Sequence, residues 1–179
     1  MSLPYTYEKD ENWIYEEDGS DIRYVLGETG DKILICIGIN PSTAKPNEPD
    51  KTLKRVKKVA KYNGYSGWIM FNVYPKRNTN PQDLPEMVND AWHKKNLEVI
   101  KNVLGNMTEL NVWCAWGTPI EKRKYLKDCL TGILDSFKNE NKKVNWLRTE
   151  NLTKKGHPRH PLYIPIETEF KEFKIKEYI

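Results

Sequence analysis

The chain has 179 residues, 38% of them hydrophobic and 30% charged, with a net charge of +4. That length supports one well-buried core without requiring two, so residues 1–179 are expected to form a single domain with its core at about 22–165. No apolar run approaches the ~20 residues that span a bilayer, and the first 31 residues lack both a basic start and an apolar signal core, which points to a cytoplasmic protein with no membrane partner.

Residues 22–27 and 32–38 are short β-rich runs split by Glu28-Thr29-Gly30-Asp31, which reads as a hairpin turn leading into a first central strand. After the Pro- and Asn-rich stretch 41–49, Asp50 caps a helix that runs to about residue 62 and ends at Asn63-Gly64. Residues 68–74 form the second strand, stopped by Pro75, and residues 81–104 read as mostly helical, ended by Gly105. Residues 110–116 are the third strand, after which Gly117-Thr118-Pro119 opens a helix to about residue 138, with Thr118 as its cap. Residues 144–148 are the fourth, followed by irregular chain through Gly156, and the tail 170–179 reads as a short strand or a surface helix. Strands separated by helices of this length imply βαβ units. The expected fold is therefore α/β: a three-layer α/β/α sandwich around a central parallel four-stranded sheet, in the order 2-1-3-4, with an N-terminal β-hairpin at its edge.

Cys36 and Cys114 fall in expected strands and Cys129 in an expected helix, with no metal-ligand spacing, so no disulfide framework, metal or cofactor is expected. The Lys residues between 51 and 61 spread over most faces of their helix and read as a solvated surface.

Two loops carry the polar chemistry. Gly38-Ile39-Asn40-Pro41-Ser42-Thr43 follows the apolar run 33–37, and His157-Pro158-Arg159-His160-Pro161-Leu162-Tyr163 follows the fourth strand. Loops that leave the carboxyl ends of neighbouring parallel strands converge on one crevice, which would bring Asn40 and His160 to a common ligand. Gly38 permits close approach to the backbone, and Pro41 fixes the chain so that the Ser42 and Thr43 hydroxyls can point inward; the same residues also read as a rigid turn with capping hydroxyls. Asn72, in an apolar strand, suits a nucleobase edge or a bond to a neighbouring loop. Tyr74 and Arg77 can stack a base and hold a phosphate, Arg159 can meet an anion, and His160 can stabilise charge. His93 reads as a helix-surface residue.

Gly38-Ile39-Asn40-Pro41, Asn72, Trp113-Cys114-Ala115-Trp116-Gly117 and the His-Pro segment together resemble the uracil-DNA glycosylase superfamily. More closely, Arg23-Tyr24-x-Leu26, Asn40-Pro41-Ser42-Thr43-Ala44, Asp50-x-Thr52, Asn72 and Gly156-x-Pro158-Arg159-His160-Pro161-Leu162-Tyr163 resemble the Domain of Unknown Function 1643 family. The resemblance implies that Asn40 orients a water, Asn72 reads a base edge, and one His of the His-Pro loop stabilises charge on a departing base; His160 falls on the matched motif and is expected to face the crevice, with His157 exposed or holding the loop. Leu162 would be the apolar wedge, and the scattered cysteines cannot supply the four thiolates of the iron–sulfur branches.

Asn40 stands where the most active branch has Asp, and an amide cannot abstract a proton as a carboxylate can. The expected function is thus binding of a nucleobase, nucleotide or nucleic acid, with slow hydrolysis of an N-glycosidic bond. The alternatives are a non-catalytic binding module and a partner subunit whose crevice is vestigial, with the Trp-rich surface as its interface.

Overall fold

The computed structural model describes residues 3–179, and in it the apolar runs of the sequence come together in one sheet. Its strands are β1 (Trp13–Asp18), β2 (Ile22–Glu28), β3 (Ile33–Gly38), β4 (Gly67–Asn72), β5 (Glu109–Cys114), β6 (Lys143–Arg148) and β7 (Lys171–Glu172). They lie in the order β1-β2-β4-β3-β5-β6-β7. The four strands expected first to fourth are β3, β4, β5 and β6, and each pairs in parallel with its neighbours in the order β4-β3-β5-β6. The sheet is nevertheless mixed and seven-stranded rather than four-stranded, because β2 pairs antiparallel to β4, β1 to β2, and β7 to β6.

The expected hairpin between residues 22–27 and 32–38 does not form. β2 pairs with β1 on one side and β4 on the other, so the link 29–32 crosses the start of β4 instead of turning back on itself. Lys32 carbonyl accepts from Ser66 N and Gly67 N at 2.9 and 3.1 Å. Gly30 lies against that backbone so closely that a Cβ on it would stand 2.5 Å from Gly67 N. The true hairpin turn is at Gly19, whose φ of +58° suits a residue without a Cβ.

Side chains alternate across a strand, so β3 feeds both faces of the sheet. Leu34 and Cys36 join Trp68, Met70 and Trp113 beneath α1 (Lys51–Tyr62), which buries Leu53, Val56, Val59 and Ala60. Ile35 and Ile37 join Phe71, Val112 and Cys114 on the opposite face, under Val99 and Ile100 of α2 (Asp90–Leu104) and Leu130 and Ile133 of α3 (Tyr125–Ser136). Helices thus cover both faces, which is why these strands read as nearly continuous apolar runs. Asp50 caps α1 by accepting from Leu53 N at 2.9 Å.

Two expected helices are shorter. The stretch 81–104 is a 3-10 turn (Pro81–Asp83), then irregular chain, then α2 capped by Asn89. Pro85 disfavours helical backbone at Leu84, whose ψ is 145°. After Gly117, Thr118 gives no side-chain cap; a 3-10 turn (Thr118–Glu121) precedes α3. The break places Arg123, whose guanidinium donates to the carbonyls of Gln82 and Leu84 and so holds the 81–89 segment. The tail supplies both β7 and a short helix α4 (Ile175–Tyr178). Among the described residues no helix is long and apolar enough to cross a membrane.

The crossing at Gly30 generates a prediction. A methyl group there must push backbone aside, and forced insertions of this kind cost roughly 1–3 kcal/mol. Gly30→Ala should therefore lower Tm by about 3–10 °C for a chain of this size. A melting curve superimposed on wild type would show that the link does not bear on β4.

Candidate functional site

Beyond the carboxyl ends of β3, β4 and β5 opens a cleft of about 870 Å³. Gly38, Met70 and Asn72 line its floor, the 40–43 loop and the start of α1 one side, and Gly117, Thr118, Lys122, Arg159, His160 and Leu162 another. Of the residues expected to contact a ligand, Gly38, Asn40, Ser42, Thr43, Asn72, Arg159 and His160 line this one cavity.

Asn72 is 1% exposed, and among the described residues neither Nδ2 nor Oδ1 of its carboxamide has a hydrogen-bond partner. Its main-chain carbonyl is held by Nδ2 of the buried Asn96 at 3.0 Å. Asn40 behaves differently. Its Nδ2 donates to the carbonyls of Pro41 and Asn78 at 3.0 and 2.8 Å, which fixes the orientation of the amide and directs Oδ1 away from the loop contacts.

Tyr74 and Arg77 do not line the cleft, contrary to expectation. Tyr74 is fully buried, accepts from Asn89 N at 2.9 Å, and packs on Trp92 and Tyr125. Arg77 donates to the carbonyls of Ser42 and Ala44 at 2.7 and 3.0 Å, and to the Tyr15 hydroxyl and the Glu17 carboxylate. Every one of these bonds ties one piece of scaffold to another, so both residues hold the site without facing a ligand.

On the other side Gly117, at φ +66°, donates its N–H to Pro158 carbonyl at 2.9 Å and packs against the His160 backbone. His160 Nδ1 accepts from Leu162 N at 3.2 Å, which leaves the ring proton on Nε2. Burial pushes its pKa down to about 4, against a smaller pull from Asp50, so the ring is a neutral donor near pH 7. His157 is buried outside the cleft. Trp116 Nε1 donates to the Tyr178 hydroxyl at 2.9 Å, that hydroxyl meets His157 Nδ1 at 2.7 Å, and His157 Nε2 meets Glu121 Oε1 at 2.8 Å. Lys155 also bonds Glu121. This chain fastens the His-Pro loop to the strand-five loop and to α4.

The cleft is basic. Lys51, Lys122, Lys154 and Arg159 line it, and among the described residues none has a carboxylate within ion-pair distance. Among the described residues Asp50 is the lone lining carboxylate, and one of its oxygens is the α1 cap. Sequence reasoning overlooked Arg23, a lining residue only 2% exposed; the available signal was a cation inside the apolar run 22–26. Leu162 and Tyr163 line the cleft and are 39% and 74% exposed.

The class defined by this geometry is a mixed α/β protein with a basic, amide-floored cleft at the carboxyl ends of parallel strands. The chain belongs to the family described as Protein of unknown function (DUF1643), which matches residues 23–162. No curated protein and no solved structure matches it.

The fastening of the His-Pro loop is pH-dependent. Hydrogen bonds from Lys155 and then His157 hold the Glu121 carboxyl down to about 2. A carboxyl lowered on folding stabilises above its unfolded value of about 4.3 and loses that contribution as pH falls through its folded value. Glu121→Gln should consequently melt below wild type at pH 6 and converge with it by pH 2. A gap of the same size at both pH values would assign the effect to packing instead of charge.

Proposed function

We propose that the cleft binds a nucleobase, carried by a nucleotide or by nucleic acid. The observation that carries this reading is the Asn72 carboxamide, buried at the floor with donor and acceptor both unmet. An unsatisfied buried polar group costs about 1–3 kcal/mol. A base edge presents an acceptor beside a donor and satisfies both atoms at once. The cations along the cleft add a preference for a phosphorylated ligand, and the resemblance of the Asn40, Asn72 and His160 segments to uracil-DNA glycosylases supports the same ligand class.

A second reading, slow hydrolysis of an N-glycosidic bond, rests on Asn40 and His160 lining the same cavity. Asn40 Oδ1 can orient a water and neutral His160 can donate to a departing base, but an amide is no strong base, and Asp50 is engaged as a helix cap. The reading as a partner subunit draws no support from the tryptophans: Trp13, Trp68, Trp113 and Trp116 are buried, and Trp92 and Trp146 are partly so.

Thermal melting with a panel of bases, nucleosides, nucleotides and short oligonucleotides tests the binding reading, since a ligand at 100 times its Kd adds about 2.7 kcal/mol of apparent stability. For the best ligand, Asn72→Ala and His160→Ala should each weaken binding about tenfold or more, on ~1–3 kcal/mol per lost contact. Asn72→Ala should not melt lower than wild type, because it removes an unpaired group. His157→Ala should lose stability but keep its affinity. No stabilisation by any member of the panel would remove the reading, and release of free base by wild type but not His160→Ala would establish hydrolysis.

A further inference from the structure

Arg23 is a second buried polar group that the fold leaves incompletely used. Its Nη1 donates to Ala44 carbonyl at 3.2 Å, while Nε has no partner among the described residues. Among the described residues no carboxylate lies within ion-pair distance of it, and the neighbouring guanidinium of Arg77 shares the same carbonyl at 3.0 Å. Two guanidinium groups crowded on one oxygen, one of them almost wholly buried, are costly to a fold, and a residue such as Met would avoid that cost. What lies around Arg23 supplies a reason to keep it. Ala44 continues directly from the Ser42 and Thr43 hydroxyls, and Asp50, which acts on Arg23 electrostatically, marks the amino end of α1. There the N–H groups of Lys51 and Thr52 precede the first intrahelical bond, and both residues line the cleft. Apart from the Asp50 carboxylate, whose charge opposes Arg23 and which already caps Leu53 N, the polar side chains of this corner are cations or hydroxyls.

We propose that this corner is an oxyanion subsite that holds a terminal phosphate monoester, so that the ligand of the cleft is a nucleoside phosphate. Its nucleoside half rests on the base-binding reading of Asn72; the phosphate half stands independently on Arg23 and the amino end of α1. A monoester fits better than an internal phosphodiester because it carries up to two negative charges instead of one, which suits a corner lined by Arg23 and Lys51. Arg23 remains protonated near neutral pH, although burial and then Arg77 lower its pKa to about 10.

Calorimetric titration of the full chain with the four ribonucleosides, their 5′-monophosphates, a dinucleotide with an internal phosphodiester, and inorganic phosphate tests this. Wild type should bind the preferred monophosphate tenfold or more tighter than its nucleoside or the dinucleotide, and inorganic phosphate should compete. Arg23→Met should abolish that preference with no loss of Tm, since Ala44 carbonyl keeps its bond from Arg77. Equal affinity of wild type for nucleoside and monophosphate, or a preference that survives in Arg23→Met, overturns the proposal while leaving base binding intact. A dinucleotide bound as tightly as the monophosphate overturns the monoester assignment. Phosphate binding that Arg23→Met abolishes, with no nucleoside bound, sustains the subsite and removes the base reading instead. If Arg23→Met does not fold, Lys51→Ala at the exposed start of α1 decides: it should weaken the monophosphate several-fold and spare the nucleoside, and an unchanged monophosphate affinity overturns the subsite.

Discussion

Gly38 stands opposite Asn72 on the last rung of the β3–β4 ladder, and its lack of a side chain leaves room at the cleft floor for Met70 and the Asn72 carboxamide. A Cβ at Gly38 would fall 2.5 Å from Met70 Cε and 3.1 Å from Asn72 Oδ1. Past this rung the two chains stay joined, with Val73 N–H donating to Gly38 carbonyl and Tyr74 N–H to Ile39 carbonyl at 2.9 and 3.0 Å. The segment after β4 is therefore carried alongside the 40–44 loop, delivering the Arg77 guanidinium and Asn78 to that loop's carbonyls. A loop held by so many fixed donors keeps its shape without a ligand, which is the preorganisation a binding site needs.

Polar residues around the cleft fall into two groups by how completely the fold uses them. The Asn40 amide nitrogen, Tyr74 and His157 spend their bonding capacity on other parts of the chain, and Arg77 does so through Nη1 and Nη2, its Nε alone being unmet. Asn72 and the Arg23 Nε do not. Net stabilities of 5–15 kcal/mol are typical of whole domains, so unmet buried groups of about 1–3 kcal/mol each are a noticeable fraction of the total. The apolar packing of α1, α2 and α3 on the two faces of the sheet offsets them. Burial without a partner is not sufficient by itself: Arg77 Nε, Asn96 Oδ1 and Trp113 Nε1 share that condition and line no part of the cleft. The ligand reading needs the unmet atom and the cavity together.

The strands β3, β4 and β5 were legible because burial on two faces demands nearly unbroken apolar runs, while the partly exposed β6 showed itself through Val144, Trp146 and Leu147, and the strand-end rule then brought Asn40, Asn72 and His160 to one cavity. The edges were not legible. β1, Trp13-Ile14-Tyr15-Glu16-Glu17-Asp18, ends in three acids because an edge strand can leave its side chains in water, and so it carries no clear apolar period. Gly30 in Glu28-Thr29-Gly30-Asp31 looked like turn chemistry, whereas its use is to let one backbone pass another, a property of contact and not of local sequence. The same limit explains Tyr74 and Arg77. Their residue types suit a ligand, but the direction of a side chain depends on what the tertiary fold places beside it. Arg23 is the reverse case, an anomaly in an apolar strand whose significance emerges only once Ser42, Thr43 and α1 stand around it.

The electrostatics of the cleft also constrain the role of its histidine. Lys51, Lys122, Lys154, Arg159 and Arg23 make the cavity positive, and a protonated imidazole among them would add repulsion as well as desolvation cost. Burial already holds His160 neutral at physiological pH, and the Leu162 N–H on Nδ1 selects the tautomer with its proton on Nε2. An imidazole fixed in this form donates a hydrogen bond across the physiological range, with no change of charge between pH 5 and 8. His157, by contrast, takes its bonds from Tyr178 and Glu121 and governs where the loop sits, not what it offers. One loop therefore contains an anchoring imidazole and a presented one, and the prolines at 158 and 161 hold them apart so that the two roles stay separate.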